Sequence, residues 1–163
     1  MATLRRGILV TVLFTLFGGP GIVLVVLPWL LTGLRVVHGW NETAGWVLIV
    51  VGIFPLLESI MRFVVVGQGT LMPAVPTEHL VVSGLYRFVR NPMYVGVVTA
   101  LAGEVLLLWS RHMVIELAVA VALMDIFVRF YEEPKLMRTY RGEYQRYRQN
   151  VRRWIPRVTP WNG

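Results

Sequence analysis

The sequence predicts an all-α integral membrane protein with four apolar spans, the last two forming a tight hairpin, and a C-terminal basic amphipathic helix at the cytoplasmic surface. Two observations lead to this fold class. Hydrophobic residues make up 56% of the 163 residues, and the mean hydropathy is +0.62, which is typical of membrane proteins. The chain also carries several apolar runs that approach the roughly 20 residues needed to span a bilayer.

The first two spans are predicted at residues 7–31 and 44–66, which are long enough to cross a core of about 30 Å at about 1.5 Å per residue. The basic N-terminus before the first run resembles a signal peptide. The run continues without a small-residue cleavage site, so we expect a retained span. Residues 18–21 (Gly-Gly-Pro-Gly) interrupt it near its middle. A kink with close helix packing and a broken helix lining a cavity are both open interpretations.

The third and fourth spans are predicted at residues 94–109 and 113–130, and both are marginal in length for a full crossing. Pro92 suits the first turn of the third helix, because the N–H group that proline lacks needs no partner there. Only residues 110–112 connect the two spans, which predicts a tight antiparallel hairpin. Whether the hairpin crosses the whole bilayer or stops short is left open by its length.

The distribution of charge predicts the topology. Of the 16 lysine and arginine residues, only Arg35 and Arg111 fall in the two loops on one side, and the other 14 belong to the opposite side. Positively charged loops stay in the cytoplasm, so both termini are predicted to be cytoplasmic. Tryptophans flank the span ends on the other side, as in an interfacial aromatic belt: Trp29, Trp40, Trp46 and Trp109.

Composition also excludes several classes of protein and site. There is no cysteine, which rules out disulfides, thiolate metal sites and cysteine nucleophiles. The three histidines are too scattered along the chain to predict a metal site. The net charge of +7 is explained by topology, and no basic and aromatic module for nucleic acid is present. The compact, arginine-rich and lysine-poor chain indicates a multi-pass protein of a bacterial inner membrane.

Ionisable residues within the apolar runs are costly and need a partner or a cavity. Glu58 and Arg62 are spaced as a helix-face pair, for which simple charge neutralisation is the preferred interpretation. Asp125 and Arg129 have the same spacing, and here we favour a functional site in which Asp125 orients the guanidinium group. Two further carboxyl groups, predicted to be protonated or to face each other across the hairpin, are Glu104 and Glu116.

A basic amphipathic helix is predicted at residues 132–151, with Pro134 in its first turn and an interruption at Gly142. Its apolar and aromatic residues recur every three or four positions: Leu136, Tyr140, Tyr144, Tyr147 and Val151. Arginines cover the remaining surface. A plain membrane-surface anchor and a lid over the cytoplasmic mouth of a site are both compatible with this pattern.

Two polar clusters flank the predicted hairpin, at residues 83–96 and 129–134. If the hairpin crosses the membrane and returns, both clusters arrive at the same face and form one polar site. A chain this apolar has no structural need for so many ionisable and turn-forming residues there. The pattern therefore predicts a membrane-embedded site, and an enzyme.

The order and spacing of these clusters resemble the isoprenylcysteine carboxyl methyltransferase family and its relatives, the integral-membrane phospholipid and small-thiol methyltransferases. The resemblance covers roughly residues 68–156. It is carried by Gly84-Leu85-Tyr86, Arg90-Asn91-Pro92-Met93-Tyr94-Val95-Gly96, Arg129, Glu132-Glu133 and the segment Gly142-Glu143-Tyr144-Gln145-Arg146-Tyr147. The first two spans match only as apolar helices, so the chain is read as one domain with two N-terminal spans at 1–66 and a catalytic core at 67–163.

The resemblance implies S-adenosylmethionine as cofactor and Arg129 as the residue that orients the methyl acceptor. The cofactor-binding residues that it implies are Gln68, His79, Leu80, Val81, Val82, Tyr86, Asn91, Pro92, Met93, Tyr94 and Glu133. A carboxylate such as Glu133 suits the cationic end of this cofactor, and an arginine pairs with a carboxylate acceptor through two hydrogen bonds. Asn91 departs from the histidine of the best-known members, so it cannot serve as a base that titrates near neutrality.

The predicted function is therefore S-adenosylmethionine-dependent methyl transfer to a lipophilic, membrane-accessible acceptor such as an isoprenoid carboxylate. A phospholipid amine or a small thiol is the alternative acceptor within the enzyme class. A non-catalytic small membrane subunit or lipid-binding protein is the alternative from another class. The expected partners are a lipophilic small molecule and membrane lipid, and the oligomeric state is open.

Overall fold

The computed structural model describes residues 19–65 and 80–163, with side chains described for 19–62 and 80–163. Every regular element in these ranges is helical and none is a strand, which confirms the all-α prediction. Segments of the predicted first span before Gly19 lie outside the described residues. The helices are α1 (Gly19–Thr32), α2 (Trp40–Val65), α3 (Pro92–Leu108), α4 (Arg111–Phe127) and α5 (Glu133–Asn150).

Helix α1 contains part of the glycine–proline motif predicted to interrupt the first span. Residues 19–21 are helical and continue directly into a π-helical turn at Ile22–Val26, so the described part of the motif is not an unwound segment. The helix ends at Thr32 and is followed by Gly33, whose positive φ of 62° is the left-handed conformation that glycine adopts at a helix C-terminus. Gly18 lies outside the described residues.

Helix α2 is the element best suited to cross a membrane. Among the described residues, Trp40–Arg62 is the one stretch both long and apolar enough, with a mean hydropathy of 2.0. Only 22% of it is buried, whereas a core helix of a soluble protein would be mostly buried. Its exposed apolar side chains include Val47, Val50, Phe54, Leu57 and Met61. Helices α1 and α3 are apolar but shorter, so the four-span topology stays a prediction.

Helices α2 and α3 pack antiparallel at very close range through paired glycines. A Cβ atom placed on Gly45 would lie 2.9 Å from the carbonyl oxygen of Gly103, and one on Gly52 would fall on the backbone of Gly96 and Ala100. Small residues at a helix interface let two backbones approach, which is a main source of helix association within lipid. This pairing was not predicted from the sequence.

Gly52→Ala is expected to destabilise the protein, because the added methyl group meets backbone atoms that cannot move aside as a side chain can. Overpacking of this kind costs about 1–3 kcal/mol. The matched control is Gly142→Ala, where an added Cβ has no neighbour within 4 Å among the described residues. Thermal unfolding of both purified variants checks this: a clearly lower Tm is expected for Gly52→Ala alone, and equal Tm values would contradict the close packing.

The N-terminal end of α2 and the C-terminal end of α3 are joined by polar and aromatic contacts. Buried Asn41 donates its side-chain amide to the carbonyl of Leu106, and the Val37 backbone N–H donates to the carbonyl of Leu107 over 2.8 Å. The rings of Trp40 and Trp109 meet edge to face with centroids 6.5 Å apart. Two of the predicted interfacial tryptophans therefore lie together at this end.

Helices α3 and α4 form the predicted hairpin. The third helix begins at Pro92, as predicted, but α4 already begins at Arg111, so the connection is shorter than the predicted residues 110–112. Ser110 caps α4 by accepting a hydrogen bond from the backbone of His112, which explains the early start. Between the helices lies an apolar core of Leu101, Leu107, Leu108, Met113 and Ala120.

Glu104 on α3 and Glu116 on α4 lie within electrostatic range of each other. Oxygens of both carboxyl groups are buried and have no hydrogen-bond partner among the described residues.

Helix α4 runs without a break into a π-helical turn, Val128–Glu132, and then into α5. Such turns are rare and often occur at functional sites, and this one contains Arg129. Pro134 lies in the first turn of α5, as predicted. The predicted interruption at Gly142 falls one residue earlier, at Arg141, whose φ is 42°. The apolar face of α5 forms a core of Tyr144, Tyr147 and Val151, which contacts Leu80, Val82 and Trp161 among others.

A reporter enzyme fused after Gly163 is expected to be active in the cytoplasm, because basic residues are concentrated on that side of the predicted spans. The matched measurement places the same reporter after Arg111, in a predicted outer loop. Reporter activity outside the cytoplasm for the Gly163 fusion would contradict the predicted orientation.

Candidate functional site

The segment after α5, residues 151–162, is here named the C-terminal strap. It lies along residues 87–91, which precede α3, and is held by three backbone hydrogen bonds of 2.9 Å. These bonds run from Arg90 N to Arg152 O, from Arg157 N to Phe88 O and from Trp161 N to Arg87 O. The strap thereby brings side chains from the end of the chain between the two predicted polar clusters.

At the centre is a buried ionic group of Arg90, Glu133 and Arg153, named the Glu133 cluster. Arg153 donates from Nε to Oε1 over 2.6 Å and from Nη2 to Oε2 over 2.8 Å, and Arg90 Nη1 lies 3.0 Å from Oε1. The side chains of Arg90 and Glu133 are 9% and 8% exposed. Burial alone would raise the pKa of Glu133, but the hydrogen bonds from Arg153 and the charge of Arg90 hold it below its usual range. Glu133 is therefore ionised at neutral pH.

Glu132 lies beside this cluster and has a different environment. Tyr94, in the first turn of α3, donates its hydroxyl to Glu132 Oε2 over 3.2 Å. Desolvation outweighs that hydrogen bond and, with the nearby charge of Glu133, raises the pKa of Glu132 to about 6. Two adjacent carboxyl groups thus have pKa values shifted in opposite directions, an arrangement typical of sites that divide acid–base roles.

The predicted pair of Asp125 and Arg129 is present. Arg129 Nε lies 2.6 Å from one carboxylate oxygen of Asp125, and Trp154 of the strap donates its indole N–H to the other over 2.9 Å. The Trp154 ring also meets the Tyr94 ring edge to face, with centroids 6.3 Å apart. Half of the Arg129 side chain is exposed, so the rest of its guanidinium group is available to a ligand.

Asn91 and Tyr86 are buried, and hydrogen bonds connect them to the strap and to α5 respectively. Asn91 donates its side-chain amide to the carbonyl of Arg153 over 3.1 Å, just before α3 begins. The carbonyl of Tyr86 accepts a hydrogen bond of 2.6 Å from the Tyr147 hydroxyl, and burial raises the pKa of both phenols. Both predicted residues therefore hold the turn before α3 against α5 and the strap.

The remaining predicted cofactor residues divide between two places. Pro92 is buried and Met93 half-buried in the first turn of α3, close to Tyr94 in sequence. Val81 is buried, whereas Leu80 and Val82 line an open cleft of about 950 Å³ that arginines Arg62, Arg87 and Arg146 also line. Gln68 and His79 lie outside the described residues.

The Glu58–Arg62 pair, with Nε and Oε1 2.7 Å apart, supports the turn Gly84–Arg87. Gly84 has a φ of 55°, and a Cβ atom at this position would fall on the Glu58 carboxylate. Glycine is therefore required for the turn to approach the pair so closely. The pair stabilises a segment of the site in addition to neutralising charge.

Comparison with known protein families gives a match over the region that contains both polar clusters. The family model described as phospholipid methyltransferase matches residues 40–143. This chain belongs to the phospholipid methyltransferase family. No curated protein and no solved structure gives a significant match. The family assignment confirms the predicted resemblance and identifies the chain as a member of a methyltransferase family that acts on lipid-type substrates.

The phospholipid methyltransferase match ends before the strap, so Arg153 and Trp154 lie outside the matched residues. Both were missed by sequence reasoning, as was the pairing of Arg90 with Glu133. The strap has no helical or strand periodicity that marks a face as buried. The only signal available was an aromatic residue next to a run of arginines, which also suits an exposed tail.

Proposed function

We propose that the protein transfers a methyl group from S-adenosylmethionine to a lipophilic acceptor reached from the membrane. One observation carries the proposal: the polar motifs of a methyltransferase family converge at the end of an apolar hairpin, on the buried Glu133 cluster and the neighbouring, partly exposed Asp125–Arg129 pair. Neutralising surface charge does not require this arrangement, since surface ion pairs contribute only about 0–1 kcal/mol. The rival proposal, a non-catalytic membrane subunit, does not account for it.

The residues present fit the proposed cofactor. Its sulfonium supplies an electrophilic methyl group, and its amino acid part carries an ammonium group that an ionised carboxylate such as Glu133 can bind. Asn91 and Tyr94 flank the same turn and offer amide and phenol groups for further hydrogen bonds. The chain contributes mainly by orientation, because the reacting atoms must approach in line to about 3–3.5 Å.

Two acceptor classes are supported by different residues. The half-exposed guanidinium of Arg129 can hold a carboxylate through two parallel hydrogen bonds, which favours an isoprenoid acid. The family description favours a phospholipid amine. An amine acceptor must lose a proton, and Glu132, with a pKa of about 6, is a suitable base next to the site. A small thiol remains the third class.

Incubating the purified protein with methyl-labelled S-adenosylmethionine and fractionated membrane extract tests the proposal and identifies the acceptor. Label is expected in an organic-soluble product, and alkaline hydrolysis distinguishes a methyl ester from a methylated amine. No transfer with any fraction, together with no cofactor binding, would support the non-catalytic alternative.

If the acceptor is an amine, Glu132→Gln is expected to change the pH dependence of methyl transfer. In the wild type, activity rises as pH passes upward through about 6, because Glu132 becomes ionised there. Glutamine cannot titrate, so this limb should disappear and the rate should fall about 100-fold or more. A pH–rate profile that keeps the limb in the variant would exclude Glu132 as the base.

A further inference from the structure

The Glu133 cluster holds more positive charge and more hydrogen-bond donors than its single carboxylate can satisfy. Two guanidinium groups surround one carboxylate, and a nitrogen of each lies within 3.0 Å of Oε1. Arg90 also donates from Nη1 to the Tyr144 hydroxyl over 3.3 Å. Its Nε is buried and has no acceptor among the described residues. A buried donor without an acceptor is costly and indicates that a further acceptor belongs here.

The neighbouring acidic groups do not supply that acceptor. Asp125 interacts electrostatically with Arg153, but its two oxygens already bind Arg129 and Trp154. Glu132 is bonded to Tyr94 and loses its charge in a fraction of molecules near neutral pH, since its pKa is about 6. The unpaired donor of the cluster therefore needs an acceptor from outside these side chains, and a ligand that carries an anionic group can supply it.

A zwitterionic ligand matches this cluster better than a simple anion or a simple amine. An ammonium group that binds Glu133 competes with one of the two arginines for a carboxylate oxygen. The arginine N–H groups released in this way can donate instead to a carboxylate of the ligand. In an α-amino acid the carbon of this carboxylate is two bonds from the ammonium nitrogen. The total charge of the buried site is unchanged, so no desolvated net charge is added.

We propose that Arg90 and Arg153 bind the α-carboxylate of the cofactor's methionine part, while Glu133 binds its α-ammonium group. This inference rests on the proposed function and assigns two residues to the cofactor site that the sequence prediction did not contain. One of them, Arg153, belongs to the C-terminal strap and lies beyond the residues matched by the family model.

Three ligands that differ only in the amino acid part separate this role from a structural one. They are S-adenosylhomocysteine, its decarboxylated amine analogue and 5′-methylthioadenosine, which lacks both charged groups. Calorimetry with the purified full-length wild type is expected to show S-adenosylhomocysteine binding about 10- to 100-fold more tightly than the decarboxylated analogue, as hydrogen bonds to charged groups allow. Arg153→Gln should reduce this ratio towards one and leave 5′-methylthioadenosine binding unchanged.

The matched control is Arg152→Gln, which removes the same charge at the neighbouring position. The Arg152 side chain is exposed, and the backbone carbonyl that accepts from Arg90 N is kept in the variant. It should keep the wild-type ratio, and Arg153→Lys should restore part of it. A wild type that binds the first two ligands equally, or an Arg153→Gln variant that weakens all three ligands alike, would overturn the inference but not the proposed function. A folded wild type that binds none of the three would overturn both.

Discussion

Glu133→Gln is expected to weaken S-adenosylhomocysteine binding about 10- to 100-fold, because glutamine keeps the shape of the side chain but removes the charge that faces the ligand's ammonium group. The same change leaves Arg90 and Arg153 without their buried counter-charge. Removing one partner of a buried ion pair costs about 3–5 kcal/mol, so we also expect a clear fall in Tm. Calorimetry and thermal unfolding of the purified variant measure the two effects separately.

Glu143→Gln is the matched control, because Glu143 is an exposed carboxylate on the same helix. It should leave both ligand affinity and Tm close to the wild-type values. Unchanged affinity for S-adenosylhomocysteine in a folded Glu133→Gln protein would remove Glu133 from the cofactor site. It would leave the carboxylate a purely structural partner of the two arginines.

Arg129→Lys is expected to lower methyl transfer to a carboxylate acceptor about 100-fold, the scale of effect produced by a misplaced reactant. Lysine keeps the positive charge beside Asp125 but lacks the planar fork that grips a carboxylate with two hydrogen bonds. Binding of S-adenosylhomocysteine should be nearly intact, because the ion pairs of Glu133 in the described residues are with Arg90 and Arg153, whereas Arg129 pairs with Asp125. Single-turnover rates and calorimetry on the same preparation give the two quantities.

Arg138→Lys, an exposed arginine on α5, is the matched control and should behave like the wild type. Near-normal turnover of Arg129→Lys would indicate that Arg129 only neutralises Asp125. A loss of cofactor binding as large as the loss of turnover would also contradict a role confined to the acceptor.

The meeting of the two polar clusters was predictable from the chain, because an antiparallel hairpin must return its ends to one face. The start of α3 at Pro92 and the Asp125–Arg129 pair follow from equally local rules. The last two features depend only on residues a few positions apart, and the first depends only on the presence of an apolar hairpin. Local patterns of this kind therefore predicted which polar residues share the site.

The partners supplied by the strap were not predictable in this way. Arg153 follows Glu133 by 20 residues and lies in the irregular backbone after α5, and nothing in its sequence neighbourhood distinguishes it from the exposed Arg152. The π-helical turn that carries Arg129 also leaves no compositional mark. The charge of Glu133 was predictable, but its ion pairs with Arg90 and Arg153 depend on tertiary packing. The same holds for the glycine contact between Gly52 and Gly96.

Titrating the purified, folded wild-type protein with S-adenosylhomocysteine tests the proposed cofactor site most directly, because it needs no knowledge of the methyl acceptor. We expect saturable binding at one site per chain, weakened in Glu133→Gln and preserved in Glu143→Gln. The absence of any binding heat from a protein that unfolds cooperatively would contradict S-adenosylmethionine-dependent methyl transfer and favour a non-catalytic membrane role.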